Sequence, residues 1–326
     1  MTGRRESLAG ALNATLAELL DTDPRVLLIG QDIGRLGGVF RVTRGLQQRF
    51  GEERVRDAVL SESSIVGQAI GMSLSGLVPV CEIQFESFVY PAMNQLVTQA
   101  ARMRTRWSGE TALPLVVRIP AGGGIRGVEH HSESNEAYFA HTAGLTVAFP
   151  SAPADASAML RHSCSVDSPV VFFEPKRLYW SRKTAPRAPA ATGDTATGAR
   201  IVRHGTDITV VTYGALVEDA LAAAGLIADT IDVEILDLRW LAPLDTAAIL
   251  DSVRRTGRLV VVHESNRFVG VGAEVLATVA EAGTCFLRAP MRRVAPAREV
   301  YPPADREAAH LVGVGDIVSA IKDCCA

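Results

Sequence analysis

The chain has 326 residues, too many for one average domain and enough to fill two α/β cores. Lys and Arg total 33 against 36 Asp and Glu, a formal charge of −3, so no basic excess points to nucleic acid and no polybasic run points to an anionic membrane. No apolar run reaches the roughly 20 residues of a membrane span, and a start carrying Glu6, Glu18 and Asp21 suits neither a secretory signal nor an acid-poor transit peptide, so a cytoplasmic protein is expected.

Residues 7–20 repeat Leu8, Leu12, Leu16, Leu19 and Leu20 at helical spacing, and Asp23-Pro24 breaks the pattern. Residues 26–29 form a short apolar run ending in Gly30, which predicts a buried strand of a parallel sheet. Helix patterns then cover residues 61–75, 91–106 and 153–164. Strand patterns cover residues 78–83, 115–119, 145–149 and 170–173. This alternation predicts an α/β fold with crossover helices.

Residues 181–200 are rich in Ala, Pro, Thr and Gly and nearly free of bulky apolar side chains, a linker composition. A second α/β pattern follows, with strands at residues 207–213, 233–238 and 259–263 and helices at 217–227 and 272–281. Two domains are therefore expected, over residues 1–180 and 201–326. The five cysteines, Cys81, Cys164, Cys285, Cys324 and Cys325, contain no Cys-x-x-Cys pair, so neither a zinc ribbon nor a disulfide framework is supported. Cys324 and Cys325 read as spare thiols on a frayed tail.

Four segments carry groups with chemical potential. Ser61 is placed to cap a helix with Glu62 in its first turn, where an acid complements the helix dipole. The helix that follows holds Gly67, Ala69, Gly71, Ser73, Ser75 and Gly76. A helical Gly costs on the order of 1 kcal/mol relative to Ala, so this composition points to close backbone approach by a ligand or a subunit. Residues 121–141 run AGGGIRGVEHHSESNEAYFAH. Three glycines in a row make a mobile or tightly turned loop, and His130 and His131 follow it. Adjacent histidines lack zinc spacing and the glycines lack the Lys-Ser of a P-loop, leaving a histidine presented for proton transfer or a solvated surface loop. Gly37-Gly38 reads as a tight turn, and Glu174 and Lys176 in FFEPKRLY as a salt-bridged strand end.

Together the segments GGVFRVTRGLQQRFG, LSESSIVGQAIGMSLSGLVPVCEIQF, YPAMNQL, VRIPAGGG, HHSESNEAYFAHTAGL, VVFFEPKRLY, DITVVTYG, DLRWLAPLD and HESNRFVGVGAEV resemble the β subunit of the first component of 2-oxo acid dehydrogenase complexes. The likeness runs in order over nearly the whole chain. It implies a transketolase-type pyrimidine-binding domain and then a transketolase-type C-terminal α/β domain. It implies thiamine diphosphate as cofactor, with Glu62 on the aminopyrimidine ring nitrogen opposite the amino group, where a carboxylate favours the imino tautomer. Phe88 is implied to pack on the pyrimidine side, and His131 to handle protons and substrate during transfer to a lipoyl arm. A structural potassium ion is implied at Leu113, Leu115, Val116, Cys164 and Asp167, mostly through carbonyls, although the SVDSP turn is one residue shorter than in several relatives.

Further departures are Gln31, where relatives usually show Glu, and Val59-Leu60, where Thr-Pro-Leu is usual. The Gly-Asp-Gly run that usually holds the magnesium of the diphosphate does not occur. The resemblance therefore implies an α subunit in an α2β2 heterotetramer that holds most of the magnesium site, and a lipoyl-bearing acyltransferase as a further partner. The expected reaction is oxidative decarboxylation of a branched-chain 2-oxo acid or pyruvate. An acetoin-cleaving β subunit shares these residues, and a non-catalytic assembly partner is the alternative of a different class.

Overall fold

The computed structural model describes residues 6–181 and 196–326, so most of the expected linker lies outside the described residues. Ser7 caps the first helix, Leu8–Thr22, by accepting from the Gly10 amide. This helix buries Leu8, Leu12, Leu16 and Leu20 against Ala156, Met159 and Leu160 of helix Pro153–Ser165.

Ten of the strands carry the two sheets' parallel framework: β1 (Val26–Gly30), β2 (Val55–Asp57), β3 (Val78–Glu82), β4 (Leu115–Ala121), β5 (Thr146–Ala148) and β6 (Pro169–Pro175) in the first half, and β8 (Ile208–Thr212), β9 (Val233–Asp237), β11 (Leu259–Val262) and β12 (Arg292–Val294) in the second. The remaining two, β7 (Arg200–Arg203) and β10 (Trp240–Ala242), lie antiparallel at sheet edges. The first sheet has seven strands in the order β10-β5-β6-β4-β3-β1-β2, and the second has five in the order β12-β11-β8-β9-β7. Strands β1, β3, β4 and β6 are buried along their whole length, which explains their unbroken apolar runs.

Strand order in the first sheet changes direction between β1 and β3, where one connection turns outward to β2 and the next passes to the other side. Ligands of open α/β sheets bind beyond the carboxyl ends of the strands at such a switch point.

The two sheets share one apolar core. Leu145, Phe149 and Phe173 from the first half pack with Val211, Tyr213, Leu236 and Leu238 from the second. Strand β10 goes further and pairs with β5, setting Trp240 beside Ala148. Three or four residues are too few to show periodicity, which is why β2, β7, β10 and β12 do not stand out in the sequence.

Two other features differ from the sequence reading. Residues 91–106 are not one α-helix: a 3₁₀ segment, Glu86–Ala92, leads to a π-wound stretch, Asn94–Ala100, and then to α-helix Ala101–Arg106. Pro91 has no amide to donate and sits near the end of the first piece. The tail is also not frayed. Helix Val314–Cys325 packs Ile317, Ile321 and the Cys324 side chain into the core of the second sheet.

Candidate functional site at the carboxyl ends of the first sheet

Glu62, Phe88 and His131 follow the carboxyl ends of β2, β3 and β4 respectively. Glu62 opens helix Glu62–Leu74, and the Ser61 hydroxyl caps that helix by accepting from the Ser64 amide at 3.4 Å. The carboxylate thus stands at the positive end of the helix dipole. It is half-buried and has no ion-pair or hydrogen-bond partner among the described residues. The helix packs on the Glu86–Ala92 segment that carries Phe88. Gly67 and Gly71 are not needed by contacts among the described residues. A Cβ on Gly71 would meet nothing within 4 Å, and one on Gly67 only Gln95 Cγ at 3.8 Å.

Phe88 and His131 are brought together, with ring centroids 5.2 Å apart in an edge-on arrangement. Phe85 lies against both, 5.6 Å from Phe88 and 4.2 Å from His131. His130 stacks on Phe88 at 5.7 Å and hydrogen-bonds Glu129, so the two neighbouring histidines take different roles. The aromatic row continues away from the site through Phe40, 5.4 Å from Phe85, to Tyr179, 4.9 Å from Phe40. Gly37 and Gly38, both at positive φ, form the turn that delivers Phe40; a Cβ on Gly37 would stand 2.6 Å from Arg44 Cα.

Beneath this row lies a buried ion triad. Arg118 donates to Glu82 at 2.9 Å and to both oxygens of Glu174 at 2.6 and 2.9 Å, and the Tyr179 hydroxyl donates to Glu174 at 2.5 Å. Glu174 therefore pairs across the sheet, while Lys176 points elsewhere, 3.5 Å from the Pro120 carbonyl. Burial pushes the Glu82 carboxyl up and Arg118 pulls it back.

The loop between β4 and helix Glu136–Ala140 is tightly held. Gly122 and Gly124 have φ of +83 and +85, and a Cβ on Gly123 would stand 2.0 Å from the Tyr301 hydroxyl oxygen. Glu86, fully buried, accepts from the amides at both ends of this loop, Gly122 at 3.2 Å and Asn135. Burial and then Glu136 push its carboxyl well up, against the pull of Lys176. Glu133 accepts from the hydroxyls of Ser87 and Tyr90. Inside the loop the buried atoms His131 Nδ1 and Ser134 Oγ have no hydrogen-bond partner among the described residues. Such a polar atom costs about 1–3 kcal/mol when left unmatched.

Burial, then the charges of His130 and Lys176, hold the His131 imidazole below its usual 6.5. This favours the neutral imidazole, the form that can accept a proton. An NMR titration should show His131 protonating below pH 6.5, and a step that needs its neutral form should keep its rate down to that point. A midpoint above 6.5 would contradict this reading of the site.

Leu113, Leu115, Val116, Cys164 and Asp167 gather at the opposite, amino end of β4 and β6, where the Leu113 amide donates to the Asp167 carbonyl at 3.1 Å. Burial pushes the Cys164 thiol up to about 12, so it stays protonated.

The chain matches the family models for the transketolase pyrimidine-binding domain over residues 6–181 and the transketolase C-terminal domain over residues 197–317. It is 47% identical to the pyruvate dehydrogenase E1 component subunit beta of Leifsonia xyli, over 95% of this chain and 92% of that one. It is 44% identical to the 3-methyl-2-oxobutanoate dehydrogenase subunit beta of Mycobacterium tuberculosis, over 97% and 91% of the two chains. The 2-oxoisovalerate dehydrogenase subunit beta of Pseudomonas aeruginosa is 43% identical, over 96% and 93%. Among solved structures, a split-gene transketolase described as an inactive β4 tetramer superposes with a TM-score of 0.78 over 99% of both chains at 20% identity, which shows the shared fold. Identity of this extent, carried over both domains, means that the chain belongs to the family of E1 β subunits of 2-oxo acid dehydrogenases.

Proposed function

We propose that this chain forms the pyrimidine half of a thiamine-diphosphate site and, with an α subunit, carries out oxidative decarboxylation of a 2-oxo acid and acyl transfer to lipoyl. The observation that carries the reading is the contact of Phe88 with His131 beyond the carboxyl ends of the neighbouring strands β3 and β4, with the helix that Glu62 opens packed on the Phe88 segment. When bound, the cofactor supplies the electron sink for loss of carbon dioxide. Glu62 accepts a hydrogen bond from the aminopyrimidine, Phe88 offers an apolar wall, and His131 takes and returns a proton during transfer.

The residues present do not fit the magnesium of the diphosphate. Gly-Asp-Gly is missing from the sequence, and no group of three His, Cys, Asp or Glu side chains among the described residues is arranged to hold a metal. We assign that half of the site to the α subunit, in an α2β2 assembly, with the open Gly67 and Gly71 face of the Glu62 helix as a subunit contact. The same proposal keeps a potassium ion at Leu113, Leu115, Val116, Cys164 and Asp167, as the resemblance implies. We take the domains as residues 1–180 and 201–326 with a linker over 181–200, whose last residue, Arg200, already opens strand β7. No helix among the described residues is long and apolar enough to cross a membrane, and the formal charge of −3 suits the cytoplasm.

Pyruvate and branched-chain 2-oxo acids are both substrates consistent with the relatives, and the EIQF and FFEPKRLY segments favour the branched chain. The test is 2-oxo acid-dependent reduction of an artificial electron acceptor with magnesium and thiamine diphosphate, by this chain alone and mixed with its α partner. Turnover is expected only in the mixture, and the preferred acid names the substrate. Turnover by this chain alone would overturn the half-site reading.

A further inference from the structure

The loop that carries His131 is held from the second half of the chain as well as from the first. Gly123 donates its amide to Glu264, and Gly124 donates to Glu307 at 3.1 Å. The Arg126 amide donates to both oxygens of Glu307 at 3.1 Å, and the Tyr301 hydroxyl donates to the same carboxylate at 2.8 Å. Glu307 is buried, so these donors replace the water a carboxylate needs. Arg126 has a φ of +57, a conformation that a side chain other than glycine holds only when its surroundings impose it. Both oxygens of Glu307 grip that residue.

From this anchor to His131 the backbone has little slack. A Cβ on Gly127 would stand 2.9 Å from His131 Cβ and 2.9 Å from Ser132 Oγ, so the glycine packs directly on the histidine. The His131 amide donates to the Val128 carbonyl at 2.9 Å, closing the 3₁₀ turn Glu129–His131.

We propose that Glu307 is a positioning residue for acyl transfer. Acting through Arg126 and Gly127, it fixes the aim of the His131 imidazole, a role that rests on His131 handling protons in that step. The initial decarboxylation does not draw on it.

The test compares Glu307→Gln with wild type in the assembled complex with its α subunit, magnesium and thiamine diphosphate. Glutamine keeps the shape but puts its carboxamide NH2 in place of one oxygen, facing the Arg126 amide instead of accepting from it. Transfer to a lipoyl domain should fall about 10- to 100-fold in kcat, because a misplacement near 1 Å costs on that order. Artificial-acceptor reduction should change by less than about threefold, on the same ground that only the transfer geometry is disturbed. Hydrogen exchange at residues 123–131 should quicken, and Glu307→Asp should restore most of the transfer rate. Equal losses in both assays, or unchanged exchange in the loop, would overturn the proposal. Should Glu307→Gln fail to assemble, Tyr301→Phe removes one donor to the carboxylate and should show the same split and exchange signature in weaker form; its absence would likewise count against the role. A wild-type complex silent toward every 2-oxo acid would sink the functional reading and this role with it, whereas an active complex with an indifferent Glu307→Gln would sink this role alone.

Discussion

Glu62→Gln should lower 2-oxo acid turnover of the assembled complex by about 10²- to 10⁴-fold, the usual contribution of a positioned acid–base group. That corresponds to roughly 3–5 kcal/mol of barrier. Glutamine matches glutamate in size and can still meet a ring nitrogen as a donor, so the substitution removes charge and basicity while leaving shape intact. Stability should hardly move. Glu62 has no ion-pair partner among the described residues, and the loss is limited to its favourable place at a helix N-terminus, about 0.3–1 kcal/mol. Thermal midpoints and steady-state kinetics on the same preparation separate the two effects. Normal turnover would favour the reading of this chain as an assembly partner.

Arg118→Met should cost about 3–5 kcal/mol of folding stability, because it strands two buried carboxylates that now share one guanidinium. Against a typical total of about 5–15 kcal/mol, this is a large fraction. The burden should depend on pH. Burial already raises the Glu82 carboxyl above its ordinary value, and removing its cation raises it further. A carboxyl whose folded pKa exceeds its unfolded one binds its proton more tightly in the folded state, so stability falls as pH rises through the folded value. Urea midpoints should therefore show a larger deficit at pH 8 than at pH 5. Adding Glu82→Gln and Glu174→Gln to Arg118→Met should recover much of the loss, since the triad then carries no stranded charge. A deficit independent of pH would show that Arg118 acts through packing instead.

Parts of this molecule are legible in its residues and parts are not. Fully buried strands such as β4 and β6 announce themselves as unbroken apolar runs, and the Ser61 cap places Glu62 at a helix start. The pairing of Phe88 with His131 is implied only through the resemblance, because nothing in the spacing of residues 88 and 131 says that they meet. Phe85, Phe40 and Tyr179 were missed for the same reason. Glu86, Glu264 and Glu307 look like ordinary acids along the chain, and their roles depend on amides 36 to 183 residues away. The triple glycine was the one available signal, and the structure shows that Gly123 is required by the close approach of Tyr301.

Strand β10 has a consequence for how the gene product tolerates being divided. Its pairing with β5 closes an edge that would otherwise present unpaired amides and carbonyls beside Val147 and Ala148. An N-terminal fragment made without residues 200–326 would be left with that edge open, a template for strand exchange between copies. Such fragments should therefore self-associate, and supplying the missing half in trans should compete with that association by returning β10 to its place.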